Sequence, residues 1–232
     1  FARHAGLFCV DSASIDAINA HDARISLATL ADCRRVETGQ MVATVKIIPF
    51  AVPEDLAGQA CAIASERRAL DVRAFTAMRI GLIQSRLPSI RETVLERTRE
   101  LMERRAARNG GALTAERRVP HEAGALAAAL QETGGECDIV VVFGASAVSD
   151  EADIVPDAIR RAGGEILRVG MPVDPGNLLV LGRRQGRYIV AAPGSARSAR
   201  ENSLDPVLDR LMAGMALAAG DLARMGVGGL LL

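Results

Sequence analysis

The sequence predicts an α/β protein: a three-layer, mostly parallel sheet with a small α+β subdomain at its N-terminal side. Three observations predict it. From Met78 onward, short β-branched apolar runs alternate with amphipathic helical stripes. Repeated crossovers of this kind join parallel strands in the right-handed sense and put helices on both faces. Residues 138–143, Asp-Ile-Val-Val-Val-Phe, are apolar without alternation, as a central strand buried on both faces requires. Before Arg73 the pattern is short and mixed, so the chain is expected to divide between Arg73 and Met78.

In the first part, residues 7–10 read as a strand, Ser12 or Ser14 caps a short helical turn through Ile15 and Ile18, and residues 25–30 read as a second strand. A Thr38-Gly39-Gln40 turn leads into the β-rich stretch 41–48, stopped by Pro49. Pro53 opens a helix to about Arg68 with Leu56, Ala60, Ile63 and Ala64 on one face.

In the second part, residues 79–84 form the first strand. Ser89 and Glu92 then have capping-box spacing, ahead of a helix carrying Ile90, Val94, Thr98, Leu101 and Met102 on its apolar stripe. That helix stops at Asn109-Gly110-Gly111. Residues 112–117 are a strand, and residues 119–122 lead into an Ala/Leu-rich helix closed by Gly134-Gly135. After the 138–143 strand come a helix over 154–162, a strand over 165–169, and a hairpin of 178–181 and 188–191 around a polar turn. A last helix ends near Ala213-Gly214, and Pro206 requires it to kink or to start afresh at Asp205. The expected domains are 1–76, 77–219, and a Gly-rich linker over 220–232.

Composition excludes several functions. Apolar residues make up 49% of the 232, which is ample for a core and argues against disorder. Lys+Arg and Asp+Glu balance at 28 each, so there is no basic surplus for nucleic acid. No stretch approaches the ~20 apolar residues of a membrane span. Signal-peptide character is absent too, although the chain opens at Phe1 and its start is expected to be missing. Lys46 is the only lysine, so a bound anion would meet guanidinium forks, amides or hydroxyls. On its strand Lys46 alternates with Val45 and Ile47 and projects from one sheet face, as a surface lysine does. Cys9, Cys33, Cys61 and Cys137 lack paired spacing, so no disulfide framework or metal site is indicated; reduced, mostly buried thiols in a cytoplasmic protein are expected. His121-Glu122 begins like a zincin motif but lacks its second histidine, since position 125 is Ala125.

In open α/β sheets, ligands sit beyond the carboxyl ends of the strands. Three turns meet that criterion and are rich in small residues and hydroxyls: residues 144–153, 173–177 and 192–198. Dinucleotide binding drops out, because residues 84–89 after the first strand carry no Gly-x-Gly-x-x-Gly; a Walker lysine is also missing.

Taken together, these turns resemble the molybdopterin-binding domains of molybdenum-cofactor biosynthesis. Phe143-Gly144-Ala145-Ser146-Ala147, then Asp153-x-x-Pro156, is similar to that family's T-G-G-T-[GS]…D-x-x-P signature. Val119-Pro120-His121-Glu122 stands at its V-P-[DE]-[DE], and residues 170–177, the hairpin and residues 193–198 resemble the P-G-K-P…P-G-N-P-x-S block of the molybdenum-insertion branch. The likeness covers residues 78–214. It is narrowest to proteins that join this domain to a cytidylyltransferase-like nucleotidyltransferase domain, on residues 39–50, 143–147 and 225–230. That likeness implies a chain whose Gly-rich tail led into the transferase.

The resemblance implies an α/β fold like that family's and a pocket for molybdopterin or the molybdenum cofactor. Gly144, Ala145, Ser146, Ser149, Pro175, Gly176, Asn177, Gly194, Ser195, Arg197, Ser198 and Ser85 would line it. Asp153, or Asp150 in competition with it, would be the carboxylate that positions metal or molybdate at the dithiolene. An N-cap role for Asp153 remains a rival reading, and Ser146 and Ser149 could equally satisfy local amides. Arg86 shares the pocket rim with Ser85, or is a solvated charge. The chain departs from the family where Ala145 and Ser146 replace a glycine and a threonine, Asn177-Leu178 replaces Lys-Pro, and Ser195-Ala196 replaces Asn-Pro. The pocket thus keeps donors and loses a cation. A catalytic version, insertase or adenylyltransferase, would add magnesium with a nucleotide; a decayed pocket would leave a structural or dimerisation module. The resemblance also implies a homo-oligomer; composition, as above, leaves no nucleic-acid or membrane partner expected.

Overall fold

A computed structural model describes residues 1–231, in two compact units, residues 1–75 and 76–231. The smaller unit runs β1 (Gly6–Val10), α1 (Ser12–His21), β2 (Ile25–Thr29), β3 (Arg34–Val36), β4 (Ala43–Ile47), α2 (Glu54–Glu66) and β5 (Leu70–Ala74). Its sheet is antiparallel in the order β3-β1-β5, and β2 pairs with β4 as a separate ribbon. Ile15 and Ile18 of α1 and Leu56 and Ala60 of α2 pack on Ile25 and Leu27; Phe8, Val36 and Val42 form a second small core.

Sequence patterning missed β3 and β5. Both are short and lie antiparallel to β1; β3 has one apolar residue, Val36, while β5 alternates Leu70, Val72 and Ala74 with Asp71 and Arg73. Neither Ser12 nor Ser14 caps α1. Asp11 is the residue before it, and its carboxylate accepts from Ser14 Oγ at 2.5 Å. The expectation of mostly buried thiols is corrected as well. Only Cys137 is buried; Cys9 and Cys33 are half-exposed and Cys61 is exposed.

The larger unit contains β6 (Arg79–Arg86), α3 (Glu92–Arg108), β7 (Ala112–Pro120), α4 (Ala123–Glu136), β8 (Ile139–Phe143), α5 (Ile154–Arg161), β9 (Glu165–Val169), β10 (Val180–Arg184), β11 (Arg187–Ala192), α6 (Leu204–Met212) and α7 (Ala219–Ala223). They build a six-stranded mixed sheet, β7-β6-β8-β11-β10-β9, in which β10 alone runs against its neighbours. The pleat sends alternate side chains to opposite faces. Ile83, Val140, Val142 and Ile189 meet Leu126 and Leu130 of α4 and Val155 and Ile159 of α5. Residues of the other parity, Leu82, Gln84 and Val141, are equally buried, and Gln84 donates to the Leu95 carbonyl of α3 at 2.9 Å. The sheet is thus a middle layer between helices.

Three local expectations need correcting. Ser89 does not cap α3: the helix starts at Glu92, which pairs with Arg118 instead of reaching back. Leu95 rather than Val94 enters the core, three and seven residues before the buried Thr98 and Met102 on the same helix face. Gly134 and Gly135 lie inside α4 rather than ending it. The hairpin turn tightens to Gln185-Gly186, both with positive φ (50° and 78°), the two-residue turn that matches strand twist. A fresh helix, α6, does follow the 193–198 turn. Within residues 220–232, expected as a bare linker, α7 buries Leu222, and Leu230 bridges to Asp174. Among the described residues, no helix is long and apolar enough to cross a membrane.

Candidate functional site

Strand register brings the loops to one rim. Ser85 and Arg86, at the end of β6, pair with Val119 and Pro120 at the end of β7, while Gln84 pairs with Phe143 at the end of β8. Phe143 in turn pairs with Ala192, the last residue of β11. Val180 opens β10 opposite Ala191, and on its other side it faces Val169, where β9 ends. The turns 144–153, 170–179 and 193–198 therefore leave the same edge of the sheet.

Two of these turns are tied to the strand ends by side chains. Ser85 Oγ lies 2.7 Å from His121 Nδ1, and His121 Nε2 lies 2.9 Å from Ser146 Oγ. The Ala145 amide donates to Ser85 Oγ at 2.9 Å, so one buried hydroxyl anchors the turn and the imidazole together. Gly144 is required here: a Cβ would meet the Ser146 carbonyl at 2.8 Å. His121 also lines a cleft of about 420 Å³ with Arg86, Leu87, Pro88, Ile90, Pro120 and Glu122.

Burial pushes the His121 imidazole below its usual 6.5, with the Asp153 carboxylate opposing. A depressed folded-state value means that the unfolded chain binds the proton more tightly. The stability this ring contributes is present above pH 6.5 and is lost as pH falls through the folded value. We expect the imidazole resonances of His121 to titrate with a midpoint below 6.5. His121→Gln should flatten the loss of stability in that acid window, measured by urea melts at stepped pH.

Arg197 turns inward from the short 3₁₀ turn Gly194–Arg197. It donates to Thr98 Oγ1 at 2.6 Å, Gln84 Oε1 at 3.4 Å and the Gly144 carbonyl at 3.3 Å, and its guanidinium stacks over the Phe143 ring at 5.0 Å. All of these partners are neutral. Among the described residues no carboxylate pairs with it, and burial lowers its pKa. Its neighbour Arg105 does have a carboxylate, Asp205 at 3.0 Å, and donates to the carbonyls of Ala196 (2.8 Å) and Ser198 (2.9 Å), which nails the turn in place. So the rim holds a half-buried cation whose charge no described residue cancels, with donors left over from its five N–H groups.

The other sequence-predicted residues divide. Asp153 precedes α5, but its carboxylate bonds backward, accepting from the amides of Ser149 (2.6 Å) and Asp150 (2.9 Å). Asp150 accepts from Ala152 N–H at 2.6 Å. Gly176 is buried against Ser203, whose hydroxyl donates to the Gly176 carbonyl at 2.6 Å, so its backbone carries close packing. Pro175 accepts from the Ser203 amide, and Asn177 is exposed at the same rim. Gly194 is exposed. Ser198 Oγ accepts from the Arg200 amide, and Ser195 Oγ is buried without a hydrogen-bond partner. Ser85, Gly144, Ala145, Ser146 and Arg197 are brought together; residues 175–177 share their rim but make their own contacts, with Ser203 and Met171.

Sequence reasoning missed His121, Gln84, Thr98 and Arg105 as site-builders. His121 stood inside the Val119–Glu122 block, and its place at a strand end was the available signal. Thr98 and Arg105 lie on a helix stripe that reads as core, and nothing local in the sequence reveals that their partners are about 100 residues away.

Residues 82–213 match the family described as "probable molybdopterin binding domain". No curated protein matches the chain. Among solved structures, a molybdopterin-biosynthesis MoeA protein of Pyrococcus horikoshii is 14% identical over 97% of this chain and 69% of its own, at a TM-score of 0.41. The molybdopterin-biosynthesis enzyme MoaB of Thermus thermophilus is 20% identical over 59% of this chain and 97% of its own, at 0.40. A CinA protein of Thermoplasma acidophilum is 10% identical over 52% and 90%, also at 0.40. With more than half of its length matched to that family, the chain belongs to the molybdopterin-binding domains of molybdenum-cofactor biosynthesis.

Proposed function

We propose that the rim binds molybdopterin, or its molybdenum-loaded form, and holds it for a nucleotidyltransferase acting on the same cofactor. The observation that carries this reading is Arg197, a half-buried guanidinium whose partners among the described residues are all neutral, set where the 144–153 and 193–198 turns meet. An unpaired buried cation is costly alone and becomes favourable when an anion arrives. Pterin phosphate supplies that anion. Ser146 and the amides of its turn offer further donors, and a neutral His121 can donate or accept through the ring nitrogen that faces Ser146. Asp153 shapes the turn by holding the amides of Ser149 and Asp150; Asp150, exposed beside it, is the carboxylate left to face the reactive end.

Purification of the chain from a cofactor-producing host tests this. Fluorescent pterin is expected to co-purify at near one equivalent. Arg197→Ala should weaken its retention about 10- to 100-fold, the worth of a charge-assisted hydrogen-bond set, while Arg197→Lys keeps the charge, loses the fork and falls between. Equal retention by Arg197→Ala and the parent, with both folded by circular dichroism, would sink the assignment. Adenylylated pterin or inserted metal after incubation with molybdopterin, molybdate and Mg-ATP would replace holding by catalysis.

A further inference from the structure

The smaller unit brings together three potential ligands that sequence spacing keeps apart. In the β1–β3 ladder Phe8 pairs with Arg34, so Cys9 and Cys33 are the next facing positions where the ladder ends. Asp32 precedes Cys33 in the turn that feeds β3. Its Oδ1 accepts from the Val10 amide at 2.8 Å, which fixes the carboxylate, and its Oδ2 lies 3.3 Å from Cys33 Sγ. The Cys33 thiol also hydrogen-bonds Cys9. All three ligand atoms lie within 4.8 Å of one another, the one such group of His, Cys, Asp or Glu found among the described residues.

The backbone supports a built arrangement. Cys33 has φ +55°, a left-handed conformation that a non-glycine residue adopts at a cost of about 1 kcal/mol or more, and such strain gathers at functional positions. Tetrahedral coordination at metal–ligand distances of about 2.0–2.3 Å sets ligand atoms roughly 3.3–3.8 Å apart, so the observed spacing needs only small adjustment to close on an ion. Two thiolates select against magnesium and calcium and suit zinc. Cys9 and Cys33 are half-exposed and Asp32 is exposed, so an ion can enter and its remaining position faces solvent.

We propose that Cys9, Asp32 and Cys33 form a site for one thiophilic divalent cation, with zinc its physiological match. Two thiolates and one carboxylate hold it, and the two thiol protons leave to solvent as it binds. The proposal is independent of the pterin reading.

Cobalt(II) added to the full chain, fully reduced by a non-thiol reductant, is the test. One equivalent should produce a thiolate-to-cobalt charge-transfer band with tetrahedral visible bands, and zinc should bleach them stoichiometrically. Cys9→Ser and Cys33→Ser should each abolish the band. Asp32→Asn should weaken the cobalt Kd at least tenfold, and Cys61→Ser should change nothing. If Cys9→Ser fails to fold by circular dichroism, Cys33→Ser, in the half-exposed turn, decides alone. No band in the reduced chain, or a band that survives Cys33→Ser, overturns the site. A Cys9–Cys33 disulfide forming in air while the reduced chain ignores cobalt would assign the pair to a crosslink instead.

Discussion

Arg105→Ala is expected to destabilise the larger unit by about 3–5 kcal/mol, the usual consequence of stranding one charge of a buried pair. Arg105 and Asp205 are 8% and 7% exposed, and their 3.0 Å contact fastens α3 to α6. The guanidinium also satisfies the carbonyls of Ala196 and Ser198, so its loss leaves three acceptors short of a donor. Arg108, 3.8 Å from Asp205 and more exposed, offers only partial relief. Urea melts should show a lower midpoint at unchanged slope. Replacing both partners by apolar residues, Arg105→Met with Asp205→Leu, should recover only part of the loss, because it removes the stranded charge but leaves the Ala196 and Ser198 carbonyls and the Asn202 amide without partners. A single-variant loss under about 1 kcal/mol would mean that water reaches Asp205 and that the 194–198 turn is not held as described.

Gly176→Ala should cost about 2–5 kcal/mol, combining left-handed strain with overpacking. Gly176 sits at φ +118°, and a Cβ there would lie 2.2 Å from Ser203 Oγ and 2.8 Å from both Ser203 Cβ and the Ser203 backbone nitrogen. The side chain can be removed and the nitrogen cannot. Ser203→Gly added to Gly176→Ala should therefore restore only part of the stability. Thermal unfolding of the two variants and the parent measures this, and full recovery in the double variant would show that the hydroxyl alone made the glycine necessary.

The sequence made the larger unit legible because its signals are redundant. The uninterrupted run of β8, the glycine after α3 and the polar, glycine-bearing stretch between β10 and β11 each mark an element by a different physical cue, although the hairpin turn proved tighter than its polar stretch implied. The smaller unit was less legible. β3 has only three residues, one of them apolar, and its pairing to β1 is non-local; β5 does alternate, Leu70, Val72 and Ala74 against Asp71 and Arg73, and that cue is masked because the run is short and follows directly on α2. The same limit applied to the site. Gly144 and Ser146 were visible as a small-residue turn after a strand, whereas the joining of Ser85 to His121 and of Arg197 to Thr98 depends on sheet order. The expectation of mostly buried thiols failed for a related reason: cysteine is often buried, but Cys9 and Cys33 fall where a three-strand sheet runs out.

The single reversed strand has a practical corollary. Because β10 runs against its neighbours, the chain returns to the rim through residues 170–179 and turns at Gln185-Gly186 on the edge away from it. A fluorophore or affinity handle grafted between those two residues would sit a strand's length from the rim, and could report on ligand capture there without standing in the way.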